Sequence, residues 1–242
     1  MITVKSVKEC VQKINSRDTF IFLMMVFAGD LFYFIIHTYN VLGPRNPLFH
    51  IGTDGGYPEF YQYVKFFWIS ILLIYIAKKK KSYGYFSWAL LFLYFMLDDS
   101  LQFHESGGRF FEMNFQFTPP LGMELRNFGE LVETAIAGLI IFVPLFIAYK
   151  KGKDNFRKVS HDIIVLIGLL LFCGMVIDEL NEMLVSSIRA FNYVLVMLED
   201  GGEMLSTSLI TWYVFWVATR DPKDEIFLFE CIRNSSKKKN SA

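Results

Sequence analysis

Eleven carboxylates fall at matching places in four apolar stretches of the chain: Asp98, Asp99 and Glu105; Glu130 and Glu133; Asp178, Glu179 and Glu182; Glu199, Asp200 and Glu203. An acid near a bilayer centre costs roughly 2.5 to 3.5 kcal/mol on insertion scales, so an ionisable group inside a membrane segment marks a functional site by default. At 100° per residue, Asp98, Gln102, Glu105 and Arg109 share one stripe, with Asp99 at its margin and His104 off it. Glu130 and Glu133 lie one turn apart, Asp178, Glu179 and Glu182 fall within about a quarter turn, and Glu199, Asp200 and Glu203 group with Ser206 and Thr207. Four such stripes facing one another make a cup of oxygen ligands.

Only Arg109, Arg126 and Arg189 are near enough in sequence to neutralise these acids. The remainder must be protonated, solvated or bound to cations, because like charges a few ångströms apart raise one another's pKa. Acids at i, i+3 and i, i+4 put two oxygens of one helix onto one ion. The chain has four histidines, His37, His50, His104 and His161, with no H-x-x-x-H, H-E-x-x-H or Glu-x-x-His spacing. Calcium, manganese, magnesium or iron therefore rank ahead of zinc. The expected ligands are drawn from the eleven acids, Asp99, Glu130, Glu133, Glu182, Glu199 and Glu203 foremost, with His104 as a nitrogen donor and Asp30 as the floor of the cavity.

Three functions fit that constellation: a metal-dependent membrane enzyme acting on a lipid or small molecule, a cation or proton transporter or channel, and a non-catalytic protein with a structural polar network. A transporter needs a second polar station toward the cytoplasm. The sequence offers only Asp30 for it, since the inner halves of the third to sixth spans are almost entirely apolar, and this favours a site reached from one face.

The elements that must position these residues are membrane helices. The 242 residues are 53% hydrophobic and 17% aromatic, gathered into continuous runs of about 20 residues without the alternation of barrel strands. The fold class is an all-α, polytopic membrane helix bundle with six spans, near 20–42, 63–77, 84–105, 127–149, 162–184 and 196–219. Residues 1–19 read as a cytoplasmic amphipathic segment, 20–219 as the transmembrane domain and 220–242 as a disordered cytoplasmic tail. Grouping loops by parity puts 19 of the 24 lysines and arginines on one side, and the other side holds Arg45, Lys65, Arg109, Arg126 and Arg189. Both termini are thereby cytoplasmic, in the plasma membrane, and the acids lie at the outer face.

Net charge is zero and the basic runs sit beside membrane segments, which excludes nucleic acid as a partner. Partners are membrane lipids and a small molecule or cation, and the oligomeric state stays open. Cys10, Cys173 and Cys231 show no C-x-x-C spacing. Gly201-Gly202 permits close helix approach or local unwinding, Pro144 is expected to kink the fourth span, and Ser106 to Asn127 reads as an aromatic loop. Asp98-Asp99-x4-His104-Glu105 together with Glu199-Asp200-x2-Glu203-Met204 resembles a pattern of uncharacterised bacterial polytopic membrane proteins. That resemblance implies that the acidic and histidine positions belong together and assigns no reaction.

Overall fold

The computed structural model describes residues 17–43, 46–177 and 189–220, and every described element is helical. The α-helices are α1 (Arg17–Leu42), α2 (Tyr57–Lys80), α3 (Gly84–Leu101), α4 (Phe103–Asn114), α5 (Leu125–Lys151), α6 (Asp154–Leu171) and α7 (Arg189–Thr219), and a π-helical segment, Phe172–Ile177, continues α6. Three of them, α1, α2 and α5, are long and apolar enough to cross a membrane. The other expected spans differ for local reasons. Gln102 adopts a left-handed conformation (φ 50°, ψ 51°) that ends α3 after its two acids, α6 gives way to the π segment, and α7 carries three acids and a run of hydroxyl residues. The second span is longer than the predicted 63–77, because Pro58 and Glu59 suit a first turn and Lys78, Lys79 and Lys80 offset the C-terminal end of the helix dipole. The stretch read as a loop from Ser106 is instead helix α4 up to Asn114.

The chain divides into two compact units, residues 1–65 with 153–242 and residues 66–152. In the first, α7 lies antiparallel against both α1 and the α6–π segment. Phe22 stacks on Phe215 at 4.1 Å, Ser208 meets Asp30, and Thr38 meets Tyr193, so residue numbers fall on one helix as they rise on the other. Helix α1 is inside out by the standard of a water-soluble protein. Its buried positions are Thr19, Val26, Asp30, His37 and Asn40, whereas Phe20, Ile21, Met24, Met25, Leu31, Phe32 and Ile35 are exposed. An apolar outer face over a polar inner one is the arrangement expected of lipid contact. Gly201 and Gly202 serve close approach without unwinding: a Cβ on Gly202 would stand 2.6 Å from Cys173 Sγ, and α7 runs unbroken through both.

In the second unit, α4 and α3 pack on α5. Gly107, Gly108 and Gly129 bring the α4 and α5 backbones together, and rings of Phe111, Phe115, Phe117 and Phe128 close one end of the contact. The lipid-type face of α5 exposes Leu139, Ile140, Phe142, Val143 and Phe146, and the helix continues through Pro144.

Candidate functional site

The first unit buries charge at the mid-depth of an apolar helix. Asp30 stands near the middle of α1, about 19 Å from either end by the helical rise. Beside it, Lys65 of α2 is 0% exposed and directs its ammonium at three acceptors: Asp30 Oδ1 at 2.9 Å, the Met204 carbonyl at 2.8 Å and Ser208 Oγ at 3.1 Å. Ser208 in turn donates to Asp30 Oδ2 at 2.6 Å. The Tyr61 ring lies under the ammonium, 4.8 Å from its centroid, and the Tyr61 hydroxyl donates to the Val26 carbonyl. Every ammonium proton and both carboxylate oxygens have partners, which is the condition for a buried pair to be tolerated.

Lys65 corrects the sequence reading, which counted it with the outer-side basic residues. It is instead the counter-ion of Asp30, and the polar core does not stop there. On α7, Glu203 accepts from Gln62 Nε2 at 3.3 Å, Ser208 joins the ion pair, and Tyr213 donates to buried Asp162 Oδ2 at 2.7 Å. These stations are five residues apart, about 7.5 Å along the axis, and turn successively toward α2, α1 and α6. Thr207 and Thr211, both buried, stand between them. The stretches read as almost entirely apolar thus carry polar groups where α6 and α7 face one another. The signal lay in the hydroxyl run Ser206, Thr207, Ser208 and Thr211, and in single opposite charges placed within two neighbouring apolar runs.

At the C-terminal end of α1 in the same unit, a cavity of about 490 Å³ is lined by Asn40, Val41, Pro47, His50, Gly52 and Thr53. His50 Nδ1 accepts the Gly52 N–H, and His37 Nδ1 accepts the Ile51 N–H, so each neutral ring carries its proton on Nε2. Burial also pushes the His50 imidazole below the usual histidine range. The two rings meet edge to face at 4.5 Å, and His37 stacks on Tyr193. Asp200 backs onto this loop, its Oδ2 2.6 Å from where a Cβ on Gly52 would stand.

The predicted cup divides between the units. Asp98, Asp99, Glu105, Glu130 and Glu133 belong to the second, and Glu199, Asp200 and Glu203 to the first. Asp178, Glu179 and Glu182 lie outside the described residues. Glu105 and Glu130 are engaged by arginine: Arg126 reaches Glu105 at 3.2 Å and Glu130 at 3.1 Å, and Arg109 reaches Glu105 at 3.1 Å. His104, expected off the acidic stripe, is turned onto it by the Gln102 break, and its Nδ1 lies 3.2 Å from Asp98 Oδ2 while its backbone N–H donates to Asp98 Oδ1. Glu133 lies in the field of both, with its Oε2 buried and without a hydrogen-bond partner among the described residues. No group of three or more His, Cys, Asp or Glu side chains that could hold a metal ion occurs among the described residues.

Comparison with curated proteins and with solved structures finds no match in either set. A family model described as a domain of unknown function, DUF8692, matches residues 20–219, a range that holds both polar sites and all but the ends of the chain. The chain belongs to the DUF8692 family.

Proposed function

We propose that this chain is an integral membrane protein of about six transmembrane helices, in a bacterial plasma membrane with both termini cytoplasmic, and that it moves a cation or proton along the polar core of its first unit. The reading rests on the enclosed Lys65–Asp30–Ser208 array at the middle of an apolar helix. Charge there is costly, and helices meant only to pack in lipid do so with small and apolar residues. The stations at Glu203 and at Asp162–Tyr213 extend it in both directions along α7. The remaining spans come from α3, from α6 with its π segment, and from α7, and the orientation follows the placement of 19 of the 24 basic residues. Purified protein in sealed vesicles should pass cations or protons when a membrane potential is imposed. Equal flux through a Lys65→Met, Asp30→Leu double variant would reduce the array to a structural network.

A second reading is favoured by one observation in the second unit. Asp98 fixes the His104 ring through Nδ1, which leaves Nε2 to meet an ion, and Glu133 Oε2 is buried without a hydrogen-bond partner among the described residues. A carboxylate behind a ligating imidazole is the usual support for a metal site. His104 Nε2 and the Glu133 carboxylate would then be two protein ligands of a divalent ion, calcium, manganese, magnesium or iron ahead of zinc, with water or substrate completing its shell, for a metal-dependent enzyme acting on a lipid or small molecule. Elemental analysis of protein purified without chelator should find about one metal ion per chain, lost in a Glu133→Gln, His104→Ala variant. A content far below that, unaffected by the replacements, rejects this reading.

A further inference from the structure

We infer that the species moved through the first unit is the proton and that Ser208 carries it between Lys65 and the far oxygen of Asp30; this rests on the translocation reading above. The centre of the polar core is already filled by a positive charge. Lys65 Nζ occupies the oxygens a metal cation would need, Asp30 Oδ1, the Met204 carbonyl and Ser208 Oγ, and its side chain is 0% exposed. A sodium or potassium ion arriving there meets a like charge at contact distance in a medium that screens little. A proton needs no such room, because it can be added to and removed from groups that stay in place.

The geometry provides two links between one ammonium and one carboxylate. The first is direct, from Nζ to Oδ1 at 2.9 Å. The second runs from Nζ to Ser208 Oγ at 3.1 Å and from Oγ to Oδ2 at 2.6 Å. Transfer along the second breaks an Nζ–H bond and the Oγ–H bond and forms a new Oγ–H bond and an Oδ2–H bond. The ionic pair becomes a neutral amine and a neutral acid, with no net charge created in the apolar interior. The direct link leaves the proton on the oxygen that faces the lysine. Ser208 delivers it to the other oxygen, on the side of α7, from which the next station is Tyr213 with Asp162. Release of that proton onward and protonation of the amine from the Glu203–Gln62 side restore the ionic pair, and one proton has crossed the centre. The groups that set these energies are Asp30 from α1, Tyr61 and Gln62 from α2, and Glu203, the Met204 carbonyl and Ser208 from α7.

The test uses the full chain in sealed vesicles with a pH-sensitive dye inside, a potassium-diffusion potential, and tracer sodium and rubidium in parallel. The expected result is potential-driven acidification without tracer uptake. Ser208→Ala should slow it by about tenfold to a hundredfold, within the range of a lost proton-transfer group. Lys65→Arg keeps the charge and the ion pair but holds its proton at any accessible pH, so acidification should fall by at least about a hundredfold while the protein stays monodisperse in detergent. A merely structural cation would be replaced by arginine without that loss. Tracer sodium or rubidium uptake overturns the proton as the transported species and leaves translocation standing. Absence of any flux overturns both readings. Wild-type acidification rates in Ser208→Ala overturn the serine relay, and this smaller variant decides the matter even where arginine cannot be accommodated.

Discussion

Replacing Lys65 by methionine while Asp30 stays in place is expected to destabilise the fold by about 3 to 5 kcal/mol, the range for stripping one partner from a buried ion pair. The magnitude follows from what remains. Asp30 would keep only the Ser208 hydroxyl at 2.6 Å, with its Oδ1 facing the apolar space left by the lysine stem, and the Met204 carbonyl would lose its partner on α2. Replacing both ions at once, Lys65→Met with Asp30→Leu, should recover most of the loss, since two well-packed apolar side chains avoid the desolvation of both charges. Unfolding of the three proteins in the same detergent measures this as a double-mutant cycle. A single Lys65→Met variant as stable as the parent would mean that Asp30 is not held in a closed interior.

The long apolar helices were legible in the sequence because a helix able to cross a membrane needs a continuous hydrophobic run: the predicted span 127–149 falls within α5, Leu125–Lys151, and 20–42 within α1, Arg17–Leu42. What could not be read was set by single residues and by facing. One left-handed residue, Gln102, ends α3 and re-aims His104 onto Asp98, and helical-wheel spacing across residues 98–109 assumes a helix that is not continuous there. Lys65 was misplaced because hydropathy assigns a lysine near the start of an apolar run to the interface, where its stem can reach water. Only the partner on α1 shows that it points inward. The sequence reading set eleven acids against three arginines, and among the described residues Arg126 takes up two of those acids, Glu105 and Glu130, by bridging α4 and α5.

Charge compensation in the two units follows different rules. In the second, the Arg126 and Arg109 side chains are 43% and 46% exposed, so their bridges to Glu105 and Glu130 are rim contacts worth little individually. In the first, the pair is sealed, and the surrounding hydroxyl groups and carbonyl are what make its ionic form tolerable. A polar array of that kind, with every ammonium proton and both carboxylate oxygens partnered, holds three helices in one register.

The other large effect concerns helix contact in the second unit, where Gly108→Val and Gly129→Val should each cost about 1 to 3 kcal/mol through overpacking. A Cβ on Gly108 would stand 2.6 Å from Glu130 Cγ and 2.9 Å from the Arg126 carbonyl oxygen, and one on Gly129 would stand 2.7 Å from Phe111 Cβ and 3.0 Å from the Gly107 carbonyl oxygen. Backbone atoms on the facing helix cannot turn aside as a side-chain tip can, so α4 must lift from α5. That movement also separates Arg126 from Glu105, now 3.2 Å apart across the two helices, and shifts the helix that carries His104. Gly138→Ala and Gly168→Ala are the matching controls. The first meets only Phe142 Cδ2 at 3.8 Å and the second nothing within 4 Å, so each should gain up to about 1 kcal/mol of helix propensity. Thermal unfolding in one detergent compares all four, and a Gly108→Val protein that gains stability as the controls do would show that α4 does not seat on α5. Because Gly108 and Gly129 share one interface, their double variant should lose less than the two single losses added together, since a helix already lifted by one valine makes room for the other.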